Sequence, residues 1–314
     1  MKRKALFIIN PVSGGKKKDN VPGMVKEHLD PAVFEYDFEF TTGIFHAHDL
    51  AVAAVGEYDT IVAVGGDGTV NEIASGIAET ETELAVIPFG SGNGLARFLG
   101  IPMDTVGAIK NMNTGRSIVI DAGKMNDQWF FNMAGMGFDA HISHVFAQGG
   151  DKRGFINYFK SSLQEIANYR SQEYHIEVDG QTLDREAFML SIANSSQYGN
   201  NAHVSPTASV QDGLLDVCVI KPFPLWRFPE MGLRMFTKTA DRSKYVEIIK
   251  GKHVHITRVK PGPIHLDGEP QSADEDIRID VVPSALKVIV GSSYMASPKP
   301  SPKERALERH NLKK

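Results

Sequence analysis

Apolar and polar positions fall into two regimes along this chain. In the first third, short apolar runs alternate with amphipathic stretches. Ala5 to Ile9 is a continuous apolar run that stops at Asn10-Pro11, as a strand buried on both faces of a parallel sheet would. Thr60 to Val64 and Leu84 to Ile87 have the same character. Phe34, Tyr36, Phe38 and Phe40 recur with a period of two, which predicts a further strand. Between these runs, Lys16 to Leu29, His48 to Val55, Thr69 to Ala78 and a stretch around Leu95 read as helices, with Pro22 and Gly23 confined to the start of the first. Repeated strand–loop–helix units predict a parallel sheet with helices on both faces.

Near Asp121 the pattern changes to hairpins. Ala122 to Met125 and Trp129 to Met133 flank Asn126-Asp127, and Tyr174 to Val178 and Ala187 to Ala193 flank Asp179-Gly180. Leu214 to Ile220, His253 to Val259, Ile277 to Val282 and Leu286 to Val290 add strands, and helical inserts are expected at Gly154 to Tyr169 and Leu225 to Thr239. The expected fold is an α/β, Rossmann-like N-terminal domain followed by a mostly antiparallel β-sandwich.

Composition narrows the function without naming it. The 314 residues are 42% hydrophobic and 23% charged with a net charge of -4, which gives no global basic field for nucleic acid. The single cysteine, Cys218, excludes an internal disulfide framework and points to a reducing, cytoplasmic compartment. No apolar run approaches the roughly 18 residues of a membrane span, and the run after Met1-Lys2-Arg3-Lys4 is too short for a signal peptide. The stretch from Pro298 to Lys314 has six Lys/Arg and two Glu and reads as a frayed basic tail, or as a weak attraction to anionic lipid.

The chemistry gathers in three loops that follow the three buried strands, where open α/β sheets bind ligands. They are Asn10-Pro11-Val12-Ser13-Gly14-Gly15-Lys16, Gly65-Gly66-Asp67-Gly68-Thr69-Val70-Asn71-Glu72, and Pro88 to Arg97 with Gly90-Ser91-Gly92-Asn93-Gly94 at its centre. Each combines glycines, a hydroxyl residue and a helix start, the combination that receives phosphate. Lys16 and Arg97 can supply countercharge. No loop fits G-x-G-x-x-G after the first strand or the Walker pattern. Asp67 would repel a phosphate unless Mg²⁺ stands between them; the alternative is a carboxylate that stabilises a tight turn. Later, Leu266-Asp267-Gly268-Glu269 offers two carboxylates across a glycine. Either Glu269 is a general base with Asp267 orienting it or holding metal, or this is a hairpin turn with solvated acids. Asp212, between Ser209 and Leu214, is a candidate hard-cation ligand or a plain turn. The pairs His46/His48, His141/His144 and His253/His255 lack metal-site spacing.

At these residues the chain resembles the bacterial diacylglycerol kinase / sphingosine kinase family of soluble lipid kinases. The resemblance rests on Asn10-Pro11-x-Ser13-Gly14, Gly65-Gly66-Asp67-Gly68-Thr69-x-Asn71-Glu72, Gly90-Ser91-Gly92-Asn93, Phe131 to Asp139, Asp212-Gly213-Leu214-Leu215-Asp216 and Leu266-Asp267-Gly268-Glu269. It implies ATP-dependent phosphorylation of a lipid hydroxyl, with a fold like that of NAD kinases and phosphofructokinases. It implies nucleotide contacts at Asn10, Pro11, Val12, Ser13, Gly14, Thr41, Gly66, Asp67, Gly68, Thr69, Val70, Asn71, Glu72 and Ser91, and a proton acceptor at Glu269. It implies Mg²⁺ held by Asp212 with carbonyls of Ser209 and Leu214. Residues 1–121 would bind nucleotide and 122–285 lipid, with 286–314 free to return to the first domain. Acyl chains would lie near Phe138, Phe146, Phe155, Tyr158 and Phe159 or along Leu225 to Phe236, unless those aromatics are core. Expected partners are ATP, a lipid and, in passing, the membrane surface; a homodimer is admitted. Gly94 replaces a usual aspartate, and Phe45 stands where glycine is usual. The rival readings are an NAD kinase and a silent nucleotide- or lipid-binding regulator.

Overall fold

The five residues Ala5 to Ile9 are buried, as are all of Thr60–Gly65 and Glu83–Pro88. In the computed structural model, which describes residues 2–15, 17–148, 165–166 and 168–296, these runs are central parallel strands. The N-terminal half runs β1 (Arg3–Ile9), α1 (Val21–His28), β2 (Phe34–Phe40), α2 (His46–Ala54), β3 (Thr60–Gly65), α3 (Asp67–Ile77), β4 (Glu83–Pro88), α4 (Gly94–Phe98) and α5 (Thr105–Thr114). The strands pair in parallel in the order β2-β1-β3-β4. Parallel pairing requires helical crossovers, and their apolar faces, including Val25, Ala51, Ile73 and Ile109, pack on the sheet in one core.

The C-terminal half runs β5 (Ser117–Met125), β6 (Gln128–Phe130), β7 (Met133–Gly137), α6 (Phe138–Gln148), β8 (Gln172–Val178), β9 (Gln181–Ala187), β10 (Met189–Ala193), β11 (Leu215–Ile220), α7 (Phe228–Phe236), β12 (Val246–Gly251), β13 (His253–Arg258), β14 (Gly262–Leu266), β15 (Glu269–Ala273) and β16 (Asp276–Ile289). One sheet has the order β12-β11-β10-β7-β14-β15, all antiparallel. The other continues the parallel sheet through β16 to β13, β8 and β9, with β5 and β6 attached. A second core lies between the two sheets, with Phe130, Met136, Ile176, Leu190, Val217 and Ile256 at its centre. A third, around Phe138, Phe188 and Met189, covers the outer face of the antiparallel sheet. The expected α/β domain plus sandwich is the observed architecture.

Several local expectations needed correction. The Asp179-Gly180 turn joins β8 to β9, not to the apolar run that follows. Strand β9 is an edge strand of alternating charge, so it has no apolar signature, and β10 crosses to the other sheet. The two expected C-terminal strands are one, β16, interrupted by a register shift between Val282 and Leu286 where Ser284 has φ 55°. The first helix begins at Val21 rather than Lys16, because Pro22 fits only a first turn. Helix α5, capped by Asp104 accepting from the Gly107 N–H at 2.7 Å, was not anticipated, nor were β12, β14 and β15. Most of the expected insert at Gly154 to Tyr169, with Phe155, Tyr158 and Phe159, lies outside the described residues, as do the Phe146 side chain and the tail.

Candidate active site

The loops after β1, β3 and β4 meet at the carboxyl edge of the parallel sheet, and glycine permits the approach. Gly14 has φ 64°, and a Cβ on it would occupy the position of the Phe89 carbonyl. A Cβ on Gly66 would lie 3.2 Å from the Gly90 Cα. Loops one and three therefore touch at Gly14, and loops two and three at Gly66, with no room for side chains. Asn10 Nδ2 donates to Thr69 Oγ1 at 3.0 Å and ties loop one to loop two. Asn10 Oδ1 accepts from Val12, and the Ser13 hydroxyl turns to the Asn10 carbonyl. Thr41 follows β2 at the same edge, its N–H donating to the Ile9 carbonyl at 2.9 Å. Ser91 is exposed at the tip of loop three. Phe45 sits at φ 60°, the left-handed conformation glycine adopts without strain.

Of the two expected cations, Arg97 is the one among the described residues. Arg97 is turned back into its loop, with Nε donating to the Gly92 carbonyl at 3.0 Å and Nη2 to Asn200 at 3.4 Å. Lys16 lies outside the described residues. Among the described residues a buried cation at the loops is Lys18, which is 2% exposed, donates to the Ser13 carbonyl and stands 5.0 Å over the Phe89 ring. Burial lowers its pKa. The Lys16-Lys17-Lys18 run signalled basic charge here without saying which residue turns inward.

Asp67, first residue of α3, is half-buried beneath loop three. Its Oδ2 accepts the Asn93 N–H and its Oδ1 the Gly94 N–H, each at 2.8 Å, so it caps α4 from another element. Burial pushes its pKa up to about 6 against the opposing pull of those two N–H groups, and the charges of Asp267 and Glu269 add to the rise. Further along α3, Val70 packs into the core, and Glu72 accepts the Ala47 N–H at 3.2 Å at the start of α2. Asn71 reaches across the cleft to the Trp129 carbonyl at 3.0 Å and to Asp267 at 2.9 Å. These side chains build the loop rather than face its open side.

Asp267 is the most heavily bonded carboxylate near the cleft. It accepts the N–H groups of Phe131, Asn132 and Met133 at 2.8–2.9 Å, besides the Asn71 amide. With φ 49° it makes the β14–β15 turn, and its bonds staple that turn to the β6–β7 connection and to α3. Its lone pairs are spent on this staple, so the alternative that it ligates metal loses its chemical basis. The staple sets Glu269, the exposed first residue of β15, directly over loop two: a Cβ on Gly68 would collide with the Glu269 carboxylate. Behind the turn lies a buried network that sequence reasoning missed. Asp139 Oδ2 accepts from the Tyr198 hydroxyl at 2.9 Å and meets His265 Nε2 at 3.1 Å, with Ser191 bonded to Tyr198. Gly135, His265 and Ser191 form one cross-strand row, and only glycine fits between Asp139 and His265.

The turn at 209–214 lies away from the loops. Asp212 Oδ1 accepts the Leu214 N–H at 3.2 Å, and the Lys250 ammonium stands 3.6 Å from its Oδ2 and 2.8 Å from Asp216. Burial is the main cause of a raised Asp212 pKa. Among the described residues no group of three or more His, Cys, Asp or Glu side chains could hold a metal. His253 and His255 pair with Asp280 and Asp276 on the sheet surface.

Residues 4–125 match the diacylglycerol kinase catalytic domain, and residues 132–290 match the YegS C-terminal NAD kinase beta sandwich-like domain. This chain belongs to the diacylglycerol kinase family. It is 29% identical over 272 residues to a diacylglycerol kinase of Bacillus subtilis (strain 168), covering 85% of this chain and 90% of the relative. Its fold matches a putative diacylglycerol kinase from Bacillus anthracis str. Sterne with a TM-score of 0.76 at 25% identity, over 93% and 99% of the two chains. An NAD kinase from Archaeoglobus fulgidus, solved in complex with ATP, shares the fold at a TM-score of 0.52 and 13% identity, over 99% and 98%. The chain is thus an enzyme, a lipid kinase.

Proposed function

We propose that this chain transfers the γ-phosphate of ATP to the hydroxyl of diacylglycerol. The observation that carries the reading is the Glu269 carboxylate held against Gly68 of loop two, at the start of α3. Free N–H groups at the helix start and the close-packed glycines suit the ATP phosphates, with the Thr69, Ser13 and Ser91 hydroxyls and the Lys18 charge nearby. Residues 1–121 bind the nucleotide in this reading, and the sandwich brings the lipid. The substrate O–H gives its proton to Glu269 while its oxygen attacks the γ-phosphorus in line; the bond to the β,γ-bridging oxygen breaks and ADP leaves. Catalysis is mainly positioning and electrostatics, so the Asp267 staple and the Asp67 cap matter through the placement they enforce.

Mg²⁺, when bound with ATP, supplies positive charge to the phosphoryl oxygens. For a hard cation this reading keeps Asp212 with the Ser209 and Leu214 carbonyls, the set that the resemblance implies; the Lys250 ammonium stands 3.6 Å from the Asp212 Oδ2 and competes for the same charge. Asp67 suits direct ligation less well, since each of its oxygens already accepts an N–H. No described helix is long and apolar enough to cross a membrane, so in this reading the enzyme draws its lipid from a membrane surface in the cytoplasm.

Incubation with radiolabelled ATP and, separately, diacylglycerol, sphingosine and NAD tests the assignment. Label is expected in phosphatidic acid. Glu269→Gln is expected to lower kcat by about 10²–10⁴-fold while changing ATP affinity by less than about threefold. Label transferred only to NAD would overturn the lipid reading, and an unchanged kcat would remove Glu269 from its role.

A further inference from the structure

Phe45, the residue before α2, holds a backbone conformation that its own packing does not explain. Among the described residues eleven besides glycine have positive φ, and seven of them are Asn or Asp, whose short polar chains tolerate it. Phe45, at φ 60°, is the one apolar residue of the eleven. A bulky side chain there is strained, and burial would ordinarily offset the strain. Here it does not, because Phe45 is 67% exposed. The backbone at this position needs no ring either. The Phe45 carbonyl accepts the Asp49 N–H at 3.1 Å in the first turn of α2, and the Thr42 N–H closes the preceding loop by donating to His46 Nδ1 at 3.0 Å. Glycine would make the same turn without strain.

The place of Phe45 in the fold supplies a reason for the ring. The three glycine loops follow β1, β3 and β4, and Phe45 follows β2, the outer strand in the order β2-β1-β3-β4. On α3, two consecutive residues reach in different directions. Asn71 bonds Asp267 of the β14–β15 turn at 2.9 Å, and Glu72 accepts the Ala47 N–H of α2 at 3.2 Å. The first turns of α3 thus have the Glu269 hairpin on one side and the start of α2 on another. An ATP whose γ-phosphate lies below Glu269 has its remaining length free to run toward the β2 edge. Neighbouring strands lie about 4.8 Å apart, so β2 is about 10 Å from β3, a span that two more phosphates and a ribose cover. At that edge Ile44 and, in loop one, Val12 are also exposed, at 87% and 75%.

We propose that the Phe45 ring is the platform on which the base of the nucleotide stacks, with Ile44 and Val12 as its apolar rim. The assignment rests on the ATP-dependent kinase reading and adds the residue that grips the base. Position selects this occupant over a lipid chain: acyl chains whose hydroxyl meets Glu269 arrive with the sandwich, on the other side of α3. A flat ring offers more stacking area to a purine than to a pyrimidine, and it gives adenine no hydrogen bond that guanine lacks. The platform therefore favours purine nucleotides as a class.

The test is titration calorimetry of the full chain, without lipid, with ATP, CTP and inorganic tripolyphosphate in the presence of Mg²⁺. ATP is expected to bind more tightly than CTP. Phe45→Gly and Phe45→Leu should weaken ATP binding by about tenfold or more, Phe45→Trp should keep it within about threefold, and tripolyphosphate should bind all four proteins alike. In turnover the loss should appear in KM for ATP rather than in kcat. Phe45→Gly also relieves the left-handed strain, so its urea midpoint should equal or exceed that of the wild type. A lower midpoint would reveal a ring that packs and would overturn the proposal. So would ATP binding that Phe45→Gly leaves intact, an equal loss of tripolyphosphate binding, or a wild-type dimer that Phe45→Gly dissociates. If Phe45 governs ATP binding but the wild type phosphorylates no diacylglycerol, the platform stands and the substrate assignment falls.

Discussion

Asp67 makes the largest single departure from its expected behaviour. An aspartate among phosphate-binding glycines suggested metal, and the structure gives its two oxygens to the Asn93 and Gly94 N–H groups instead. That arrangement has a pH signature. Folded, Asp67 takes up its proton near pH 6, against an ordinary value of 3.8. The folded state holds the proton more tightly, so the favourable contribution is complete below 3.8 and is lost as pH rises through 6. Two pKa units correspond to about 3 kcal/mol. Urea unfolding of wild type and Asp67→Asn at several pH values should therefore show the wild type losing about 2.4 kcal/mol of this relative to the variant between pH 4 and pH 7. A difference independent of pH would contradict the burial of a titrating carboxylate. The ionised form is nonetheless the useful one. Asparagine offers one acceptor and an N–H₂ where two N–H donors converge, so kcat/KM should fall by about tenfold or more.

At the scale of elements, the strand β16 carries the connection between the halves. It pairs antiparallel with β13 and β5 and parallel with β4, and its register shifts between Val282 and Leu286. The irregularity is pinned by Asp121 in β5, whose Oδ1 accepts the Ser284 N–H and Oδ2 the Gly213 N–H, both at 2.8 Å. Asp121 is 4% exposed, and Asp121→Ala would take the charged acceptor from two N–H groups that are only partly buried, which should cost about 1–2 kcal/mol in chemical denaturation. A loss under 1 kcal/mol would mean that water replaces the carboxylate. The sequence read as two strands here because Pro283 and Ser284 interrupt the apolar pattern, and local pattern does not reveal that a bulge continues a strand. Elements buried on both faces, β1, β3 and β4, were legible because their apolar runs leave no other reading. The edge strand β2 was legible from its period of two, but β9, which alternates charge, and β15, which reads Glu-Pro-Gln-Ser-Ala, were not. The site followed the same rule. Ordered glycine motifs marked the loops, and the Leu266 to Glu269 turn marked the carboxylate opposite. The partners that position them, Asn71 with Asp267 and Tyr198 with Asp139, are separated by 196 and 59 residues, and no local signal joins such pairs.

The two larger cores are strung on shared strands. The first core draws on Ile120, Ala122, Leu286 and Val288, and the second on Met125, Ile277, Ile279 and Val281, so β5 and β16 each contribute to both. Two-domain proteins commonly unfold in steps, because their linkers are exposed and few contacts cross them. Here the connection is itself buried sheet, and the Asn71–Asp267 bond adds a polar tie across the cleft. Neither core can open without stripping side chains from a strand the other requires. A single calorimetric transition is therefore expected, with the measured and van't Hoff enthalpies equal within about 20%. A ratio near two, or separate transitions assigned by near-UV signals from Trp129 and Trp226, would show that each half holds its own strands. The same coupling bears on catalysis. With β5 and β16 continuous between the halves, closure of the cleft cannot proceed by a free hinge; it must bend paired sheet at the Val282 to Leu286 irregularity, the one place where the β5–β16 ladder is already broken. A disulfide engineered to lock that irregularity should then lower kcat while leaving the unfolding transition single, whereas a lid confined to the loops would leave kcat unaffected.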